Sequence, residues 1–194
     1  MQLAHPHHQV MVDAAWSAKG AWREGILILG GSLLIALASQ FQILLPFSPV
    51  PVTAQTFVVL LLGALFGSRR GPATVVTYLT LGAVGVPVFA GGAAGLARFV
   101  GPTAGYLLGF VVAAFAVGSL SERGWDRRPW TTAASMIIGN VIIYATGILW
   151  LSRFVGFEAV LDTGVLPFLL GDALKIALAT ILLPASWRMI GRAA

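Results

Sequence analysis

Six long runs of apolar residues, separated by short polar connections, constrain this chain more than any other feature. Each run is close to the ~20 apolar residues that a helix needs to cross a bilayer, and backbone groups in lipid must hydrogen-bond within their own segment, which favours helices over strands. The composition agrees, because 58% of the 194 residues are hydrophobic and only 10% are charged, against roughly 25% charged in soluble domains. The sequence therefore predicts an all-α membrane protein with six transmembrane helices, in the runs Gly25 to Phe47, Pro49 to Gly67, Gly71 to Ala97, Phe99 to Ser121, Trp130 to Ser152 and Gly164 to Trp187.

The basic residues are distributed unevenly over the connections between these runs. If the connections alternate between the two sides of the membrane, the opposite side from the N-terminus holds only Arg98 and Arg153. The side of the N-terminus holds Lys19, Arg23, Arg69, Arg70, Arg123, Arg127, Arg128, Arg188 and Arg192. Cytoplasmic connections carry an excess of Lys and Arg, so we expect both termini in the cytoplasm and the chain in the cell (inner) membrane. Residues 1–24 are expected to form a short polar or interfacial lead, and residues 25–194 a single six-helix domain.

Several function classes lack the residues that they need. The chain has no cysteine, and its three histidines, His5, His7 and His8, lie in the polar lead without acidic neighbours, so we expect no metal site and no cofactor. An intramembrane serine protease would need a histidine in a span, and an aspartyl protease a second aspartate beside Asp172. The net charge of +5 is not gathered into a basic amphipathic segment, so no nucleic-acid partner is expected. The chain is predicted not to be an enzyme.

Two charged residues, Asp172 and Lys175, interrupt the sixth run. They are three positions apart, so they share one face of a helix. An isolated charge near the membrane centre costs at least ~2.5–3.5 kcal/mol, and two opposite charges can neutralise each other or face a polar cavity. The pair is therefore either a structural staple between helices or, as we favour, a ligand site, because ionisable groups inside the membrane are usually functional.

A glycine-rich segment joins the third and fourth runs and contains Phe89, Gly91, Gly92 and Arg98. Glycines and prolines interrupt helices, and irregular backbone at membrane depth is tolerated only where protein or water covers it. The segment is thus predicted to be an outer loop that lines a cavity, the alternative being an ordinary connection. Arg98 suits a carboxylate ligand because a guanidinium binds carboxylates with two parallel hydrogen bonds; it could equally contact lipid headgroups.

Further polar residues lie in the apolar runs. Thr53 and Gln55 follow two prolines at the start of the second run, where they either cap a helix or point into a pocket. Asn140 and Tyr144 are four residues apart on the fifth run, and they either join helices or line the pocket. On the first run, Ser32 and Ala36 form a pair of small residues at helical spacing, a pattern that allows close approach of helices. This pair is a candidate docking face for another membrane subunit, with internal packing as the alternative.

Several ordered motifs together resemble the BioY family, the biotin-binding S components of energy-coupling-factor (ECF) transporters. The resemblance extends from about Leu34 to Pro184, and it rests on the segments 49–56, 63–71, 87–92, 101–110 and 171–175. It implies a six-helix subunit that captures biotin from outside and that works with a transmembrane coupling subunit and two cytoplasmic ATPases.

The resemblance also implies roles for individual residues. In the family, the aspartate and lysine of the motif that matches Asp172 and Lys175 hold the ureido ring of biotin. Arg98 is then the candidate for the valerate carboxylate, and Phe89 and Tyr144 are candidate apolar walls. Two alternatives are an S component or small solute carrier for a different vitamin or carboxylate ligand, and a membrane scaffold that transports nothing. The buried charged pair and the glycine-rich loop argue against the scaffold.

Overall fold

The structure, a computed structural model, describes residues 9–193 as a bundle of helices. The elements run in the order α1 (Met11–Ala15), α2 (Ala21–Gln40), β1 (Gln42–Ile43), β2 (Val52–Thr53), α3 (Gln55–Ala83), α4 (Ala104–Ser121), α5 (Pro129–Gly164) and α6 (Leu166–Ala193). Single 3₁₀ turns lie at Ala90–Gly92, Leu96–Phe99 and Trp125–Arg127. The histidines predicted to lie in a solvated tail, His5, His7 and His8, are outside the described residues, as is the side chain of Arg192.

Helix α3 is a tight hairpin of two helical arms, 55–66 and 68–83, that reverses direction at Gly67. The backbone of Gly67 has φ 82° and ψ −176°, a conformation that only glycine adopts readily. The side-chain amide of Gln55 donates from Nε2 to the hydroxyl of Tyr78 at 2.6 Å, although the two residues are 23 positions apart. A continuous helix would separate them by about 35 Å. The two arms therefore lie antiparallel and bring both residues to the same end of the bundle.

The core lies between the two arms of α3 and helices α2, α4 and α5. Fully buried side chains from these helices include Ile35, Val59, Tyr78, Val117 and Ile143. Small residues allow the helix backbones to approach closely: a Cβ on Gly63 would lie 2.9 Å from the carbonyl oxygen of Ala114. Helix α6 adds Phe168, Ala179 and Leu183 to this core and packs chiefly against α5.

Four helices of the described residues are long and apolar enough to cross a membrane: Ala21–Gln40, Ala104–Ser121, Pro129–Gly164 and Leu166–Gly191. Their outward faces carry exposed leucines such as Leu33, Leu170 and Leu174, which a lipid environment would cover. The prediction of a helical, multi-pass membrane protein is therefore confirmed. Each arm of α3 is shorter than the ~20 residues of a perpendicular span.

Several helix ends differ from those expected from the apolar runs. Helix α2 begins at Ala21 and ends at Gln40 rather than at Phe47, because the chain then forms a two-stranded antiparallel ribbon in which Gln42 pairs with Thr53. The connection between the strands contains Pro46, Pro49 and Pro51, which lack the N–H that a helix needs. Helix α3 ends at Ala83 rather than at Ala97, and the following residues 84–103 form a loop with positive φ at four glycines, Gly85, Gly91, Gly92 and Gly95.

The described part of the polar lead, residues 9–24, is folded against one end of the bundle. We call this the basic end; it contains the Gly67 turn, the α4–α5 connection and the last turns of α6. Val10 and Met11 are buried there. Asp13 forms ion pairs with Arg23 at 2.8 Å and with Arg70 at 2.9 Å, and Glu24 also pairs with Arg70. Burial favours a higher pKa for Asp13, but hydrogen bonds from Arg70 and Arg23 outweigh it and lower the pKa below its usual value. These pairs join α1, α2 and α3.

Candidate ligand-binding site

A cavity of about 430 Å³ lies at the end of the bundle opposite the basic end, which we call the cavity end. This volume is within the range of roughly 300–1,000 Å³ that is typical of small-molecule sites. Its wall is formed by the β1–β2 ribbon, both arms of α3, the glycine-rich loop, and helices α4, α5 and α6. Nine of the ten predicted ligand-binding residues line it: Thr53, Gln55, Phe89, Gly91, Arg98, Asn140, Tyr144, Asp172 and Lys175.

Asp172 and Lys175 form an ion pair in the wall of this cavity. Lys175 Nζ donates to Asp172 Oδ1 at 3.0 Å, to the Thr56 hydroxyl at 2.8 Å and to the Thr53 carbonyl oxygen at 2.9 Å. An ammonium group has three N–H donors, so all of them are used. The pair therefore ties α6 to the start of α3 and holds a nearly buried carboxylate, which is 4% exposed, at the cavity surface.

Helix α5 contributes Asn140 and Tyr144, one turn apart on the face towards the cavity. The Tyr144 hydroxyl donates to Asp172 Oδ2, so Tyr144 is a polar partner of the aspartate as well as a wall of the cavity. The Asn140 side chain is 7% exposed and makes no hydrogen bond with the described residues. A carboxamide that is almost buried, unpaired and aimed into a cavity is a free donor and acceptor for a ligand.

The start of α3 places Thr53 and Gln55. Thr53 lies in the β1–β2 ribbon, and its hydroxyl accepts the Gln55 backbone N–H at 3.3 Å. Gln55 is buried and donates to Tyr78 on the second arm of α3. The short ribbon thus fixes the Thr53 carbonyl that Lys175 binds, while Gln55 closes the cavity between the two arms.

The glycine-rich loop covers the cavity because its backbone is hydrogen-bonded to the end of α2. Ser39 Oγ donates to the Val88 carbonyl at 2.7 Å, and the Phe89 ring packs against Tyr78 with ring centroids 5.5 Å apart. Gly92 differs from the expectation, because its N–H donates to Gln40 Oε1 at 3.1 Å and it does not line the cavity. Arg98 does line the cavity, and its side chain is exposed and forms no ion pair with the described residues.

The predicted docking face on α2 is not available in this structure. Ser32 is 0% exposed, and its hydroxyl donates to the Leu29 carbonyl of its own helix at 2.8 Å. Ala36 is partly buried against the core. The small residues instead allow α2 to pack on α3, as shown by Gly31, where an added Cβ would lie 2.7 Å from Thr74 Cγ2. This geometry favours internal packing, the alternative interpretation of the pattern.

Sequence reasoning did not assign several residues of the cavity. Thr56 accepts a hydrogen bond from Lys175 and so orients it. Its place directly after Thr53 and Gln55, two polar residues expected in the pocket, is a pattern that could have indicated this role. The aromatic residues Tyr78, Tyr106 and Phe168 also line the cavity, and Phe168 packs between Tyr106 and Tyr144 with centroid distances of 6.5 and 6.4 Å. In an apolar chain these aromatic residues cannot be told from core residues by pattern alone.

The fold and the site define a class: a multi-pass helical membrane protein that encloses a cavity with an ion pair in its wall. The sequence profile of the BioY family matches residues 10–192. The chain therefore belongs to the BioY family, and the resemblance of its motifs is confirmed.

Individual relatives agree with this assignment. A probable biotin transporter BioY from Pyrococcus horikoshii is 40% identical over 152 residues, which cover 78% of this chain and 90% of the relative. The biotin transporter BioY of Rhizobium etli is 40% identical over 162 residues, covering 79% and 87%. A crystal structure of the S-component for biotin from an ECF-type ABC transporter is 22% identical, covers 88% of this chain and 95% of its own, and superposes with a TM-score of 0.76. It shares the fold.

Proposed function

We propose that this protein is the substrate-capture subunit of a biotin uptake system and that it binds biotin in the cavity at the cavity end. The observation that carries the proposal is the polarity of the cavity. It is lined by the ion pair of the buried Asp172 with the half-buried Lys175, by the free Asn140 amide, by the exposed Arg98, and by apolar and aromatic walls. The chemical groups of biotin are complementary to these side chains: it has a polar ureido ring, an apolar thiophane ring and alkyl chain, and a carboxylate. The names of the relatives support the same ligand.

Hydrogen-bond capacity assigns the contacts of the ureido ring. This ring offers two N–H donors and one carbonyl acceptor. Asp172 accepts from an N–H, because a carboxylate has about four lone-pair sites and only some are used. Lys175 has no spare donor, so its first role is to hold the Asp172 side chain in place. To donate to the ureido carbonyl, Lys175 must first break one of its three hydrogen bonds within the protein. The Asn140 amide can donate to this carbonyl without breaking any bond.

The other end of the ligand is a carboxylate with an alkyl chain. Arg98 pairs with the carboxylate, because it is the cation of the cavity wall that has no partner among the described residues. Phe89 and Tyr144 form apolar walls for the thiophane ring and chain. Thr53 and Gln55 line the bottom of the cavity, and Gly91, which has no side chain, allows the loop backbone to lie close to the ligand. Gly92 supports the loop through Gln40 rather than touching the ligand.

The proposed arrangement in the membrane has six spans, with the two arms of α3 as the second and third. The reversal at Gly67 makes these arms antiparallel, and together with α2, α4, α5 and α6 they give six helical segments. Both termini and the basic end lie in the cytoplasm, and the cavity opens outwards across the cell (inner) membrane. Residues 25–194 form the transmembrane domain and residues 1–24 form a lead at its cytoplasmic surface.

Release of biotin into the cell is proposed to require a transmembrane coupling subunit and two cytoplasmic ATPase subunits. Family membership supports this, as does the similarity in fold to an S-component of an ECF-type ABC transporter. In this scheme the protein performs no chemistry on the vitamin. It supplies binding and selectivity, and the partners supply the energy of ATP hydrolysis.

A binding titration tests the proposal. Purified protein in detergent should bind biotin without ATP, desthiobiotin should compete because it keeps the ureido ring, and thiamin and riboflavin should not. Arg98→Gln should weaken biotin binding but should have little effect on a biotin amide, which lacks the carboxylate. Arg153→Gln is the matched control, since Arg153 is exposed at the same end and stacks on Trp150. Riboflavin displacing biotin, or equal effects of the two arginine variants, would show that the ligand or its placement is wrong.

A further inference from the structure

The four acidic side chains of the basic end all have partners within the described residues. Asp13 and Glu24 pair with Arg23 and Arg70. Two others bind neutral groups: Glu122 accepts the Ser68 N–H at 2.8 Å, and Asp126 accepts Trp187 Nε1–H at 2.6 Å. The surface of this end is left with exposed cations that form no ion pair with the described residues, namely Lys19, Arg69, Arg123, Arg127, Arg128 and Arg188.

The contact between Asp126 and Trp187 brings together the two chain segments that carry three of these arginines. The hydrogen bond between these residues joins the α4–α5 connection to the last turns of α6. The Arg127 guanidinium stacks on the Trp187 ring at 4.2 Å, and Arg128 and Arg188 are the chain neighbours of these two residues. Guanidinium groups bind phosphate oxygens with two parallel hydrogen bonds, so the cluster of Arg127, Arg128 and Arg188 suits a phosphodiester.

This arginine cluster lies where a row of lipid-facing side chains ends. On α5, Trp130, Ile137 and Val141 are exposed on one face at helical spacing, and Trp130 is 69% exposed. Exposed tryptophans mark the headgroup level of a bilayer. Arg128 precedes Trp130 by two residues, so an acyl chain lying along this face would bring its headgroup to the arginines. On α6, exposed Ile181 and Met189 extend the same kind of surface to Arg188.

We propose that Arg127, Arg128 and Arg188 form a binding site for the headgroup of an anionic phospholipid at the cytoplasmic end of the α5–α6 pair. An acidic protein segment would find the same charges, but it would have no use for the adjoining row of exposed apolar residues. A lipid satisfies both features at once. Bound there, the lipid would bridge the α4–α5 connection and α6, the helix that carries Asp172 and Lys175 and that packs chiefly on α5.

The test is a titration of short-chain phosphatidylglycerol and phosphatidylcholine into the detergent-solubilised protein, with thermal stability and lipid binding as readouts. Each basic residue near a membrane surface adds about fivefold in affinity for anionic lipid. Arg127→Gln, Arg128→Gln and Arg188→Gln should each weaken phosphatidylglycerol binding about fivefold, and the triple variant on the order of a hundredfold. Binding should fall with added salt. Lys19→Gln, an exposed cation of the same end outside the cluster, is the matched control.

Thermal melts without added lipid show that each variant is folded, so the lipid result stands whether or not biotin is the ligand. Biotin affinity is measured on the same samples to test the two sites separately. Equal binding of the two lipids would overturn the site, as would wild-type binding by the triple variant or an equal loss in Lys19→Gln, which would indicate diffuse surface charge. Two competitors complete the design. Each competitor is compared with sodium chloride at the same ionic strength, because salt alone weakens binding. Displacement by inorganic phosphate beyond that salt effect would reduce the site to an anion site, and the same result with a polyglutamate peptide would assign it to an acidic protein; either result refutes a lipid site.

Discussion

Replacing Asp172 by asparagine separates a ligand contact from a structural one, because the amide can keep most of the present hydrogen bonds. Its oxygen can still accept from Lys175, and its N–H₂ can donate to the Tyr144 oxygen if that hydroxyl turns. Lys175 also keeps its bonds to the Thr53 carbonyl and the Thr56 hydroxyl. The ligand, however, loses a charged acceptor for its ureido N–H. Hydrogen bonds to charged groups contribute about 1.5–3 kcal/mol, so biotin affinity should fall about ten- to a hundredfold.

The competing interpretation is that the pair only staples α6 to α3. Removing one partner of a buried ion pair then costs about 3–5 kcal/mol of stability. Lys175→Met should show much of this loss in any case, because it removes three hydrogen bonds and leaves Asp172 without its cation.

The assay measures thermal stability and biotin affinity for Asp172→Asn, Lys175→Met and the double variant. Asp162→Asn, an exposed carboxylate at the cavity end, serves as the control for loss of charge. The ligand role predicts that Asp172→Asn is folded and binds weakly, and that the double variant binds weakly even where its stability recovers. Recovery of both stability and wild-type affinity in the double variant would refute it.

Three further outcomes follow from the geometry. Asn140→Leu should lower biotin affinity about tenfold or more, because one free amide with an otherwise unpaired donor is lost, while a thermal melt shows stability unchanged or higher. Gly118→Ala should lower the free energy of unfolding by about 1–3 kcal/mol, since its Cβ would lie 2.4 Å from the Gly67 carbonyl carbon, whereas Gly171→Ala, with nothing within 4 Å, should not. Because the chain has no cysteine, single cysteines can be labelled in intact cells: Val100→Cys should react with an impermeant reagent and Arg69→Cys should not, and the reverse would exclude the proposed orientation.

Hydropathy and charge were sufficient to predict the helical membrane fold and the centre of the cavity. Asp172 and Lys175 are recognisable because charges within an apolar run are costly and their spacing places them on one face. The structure adds the partners that complete their coordination, Thr53, Thr56 and Tyr144. Thr53 and Tyr144 were expected in the pocket, but no local pattern indicates that a backbone carbonyl of the β1–β2 ribbon binds the lysine 122 positions later.

The features that sequence could not give depend on contacts between distant segments. The apolar runs predicted a connection between Gly67 and Gly71, but they did not show that the chain reverses sharply at Gly67 itself, where Glu122 at the end of α4 accepts the Ser68 N–H. The pair of small residues Ser32 and Ala36 would have the same spacing in the sequence whether it packed against a partner subunit or against α3. Only the neighbouring helix, whose Thr74 side chain fills the space beside Gly31, distinguishes the two.

The buried carboxylate of Asp126 predicts an unusual dependence of stability on pH. Asp126 is 2% exposed, and its Oδ1 has no hydrogen-bond partner among the described residues. Burial raises its pKa above the usual value, and the hydrogen bond from Trp187 only partly opposes this. The folded protein therefore binds this proton more tightly than the unfolded chain does, so the associated stability is present at low pH and is lost as the pH rises through the folded-state pKa.

Asp126→Asn is neutral at every pH and keeps an acceptor for Trp187. Because a buried charged group without a full set of partners costs about 1–3 kcal/mol, the variant should be more stable than the wild type at neutral pH, and its advantage should shrink as the pH falls towards 4. Asp13 changes stability in the opposite sense, since its lowered pKa removes stability as the pH falls, but it does so equally in both proteins. Thermal melts of the two proteins across this range therefore isolate Asp126, and a difference that stays constant with pH would show that the carboxyl is not the group responsible.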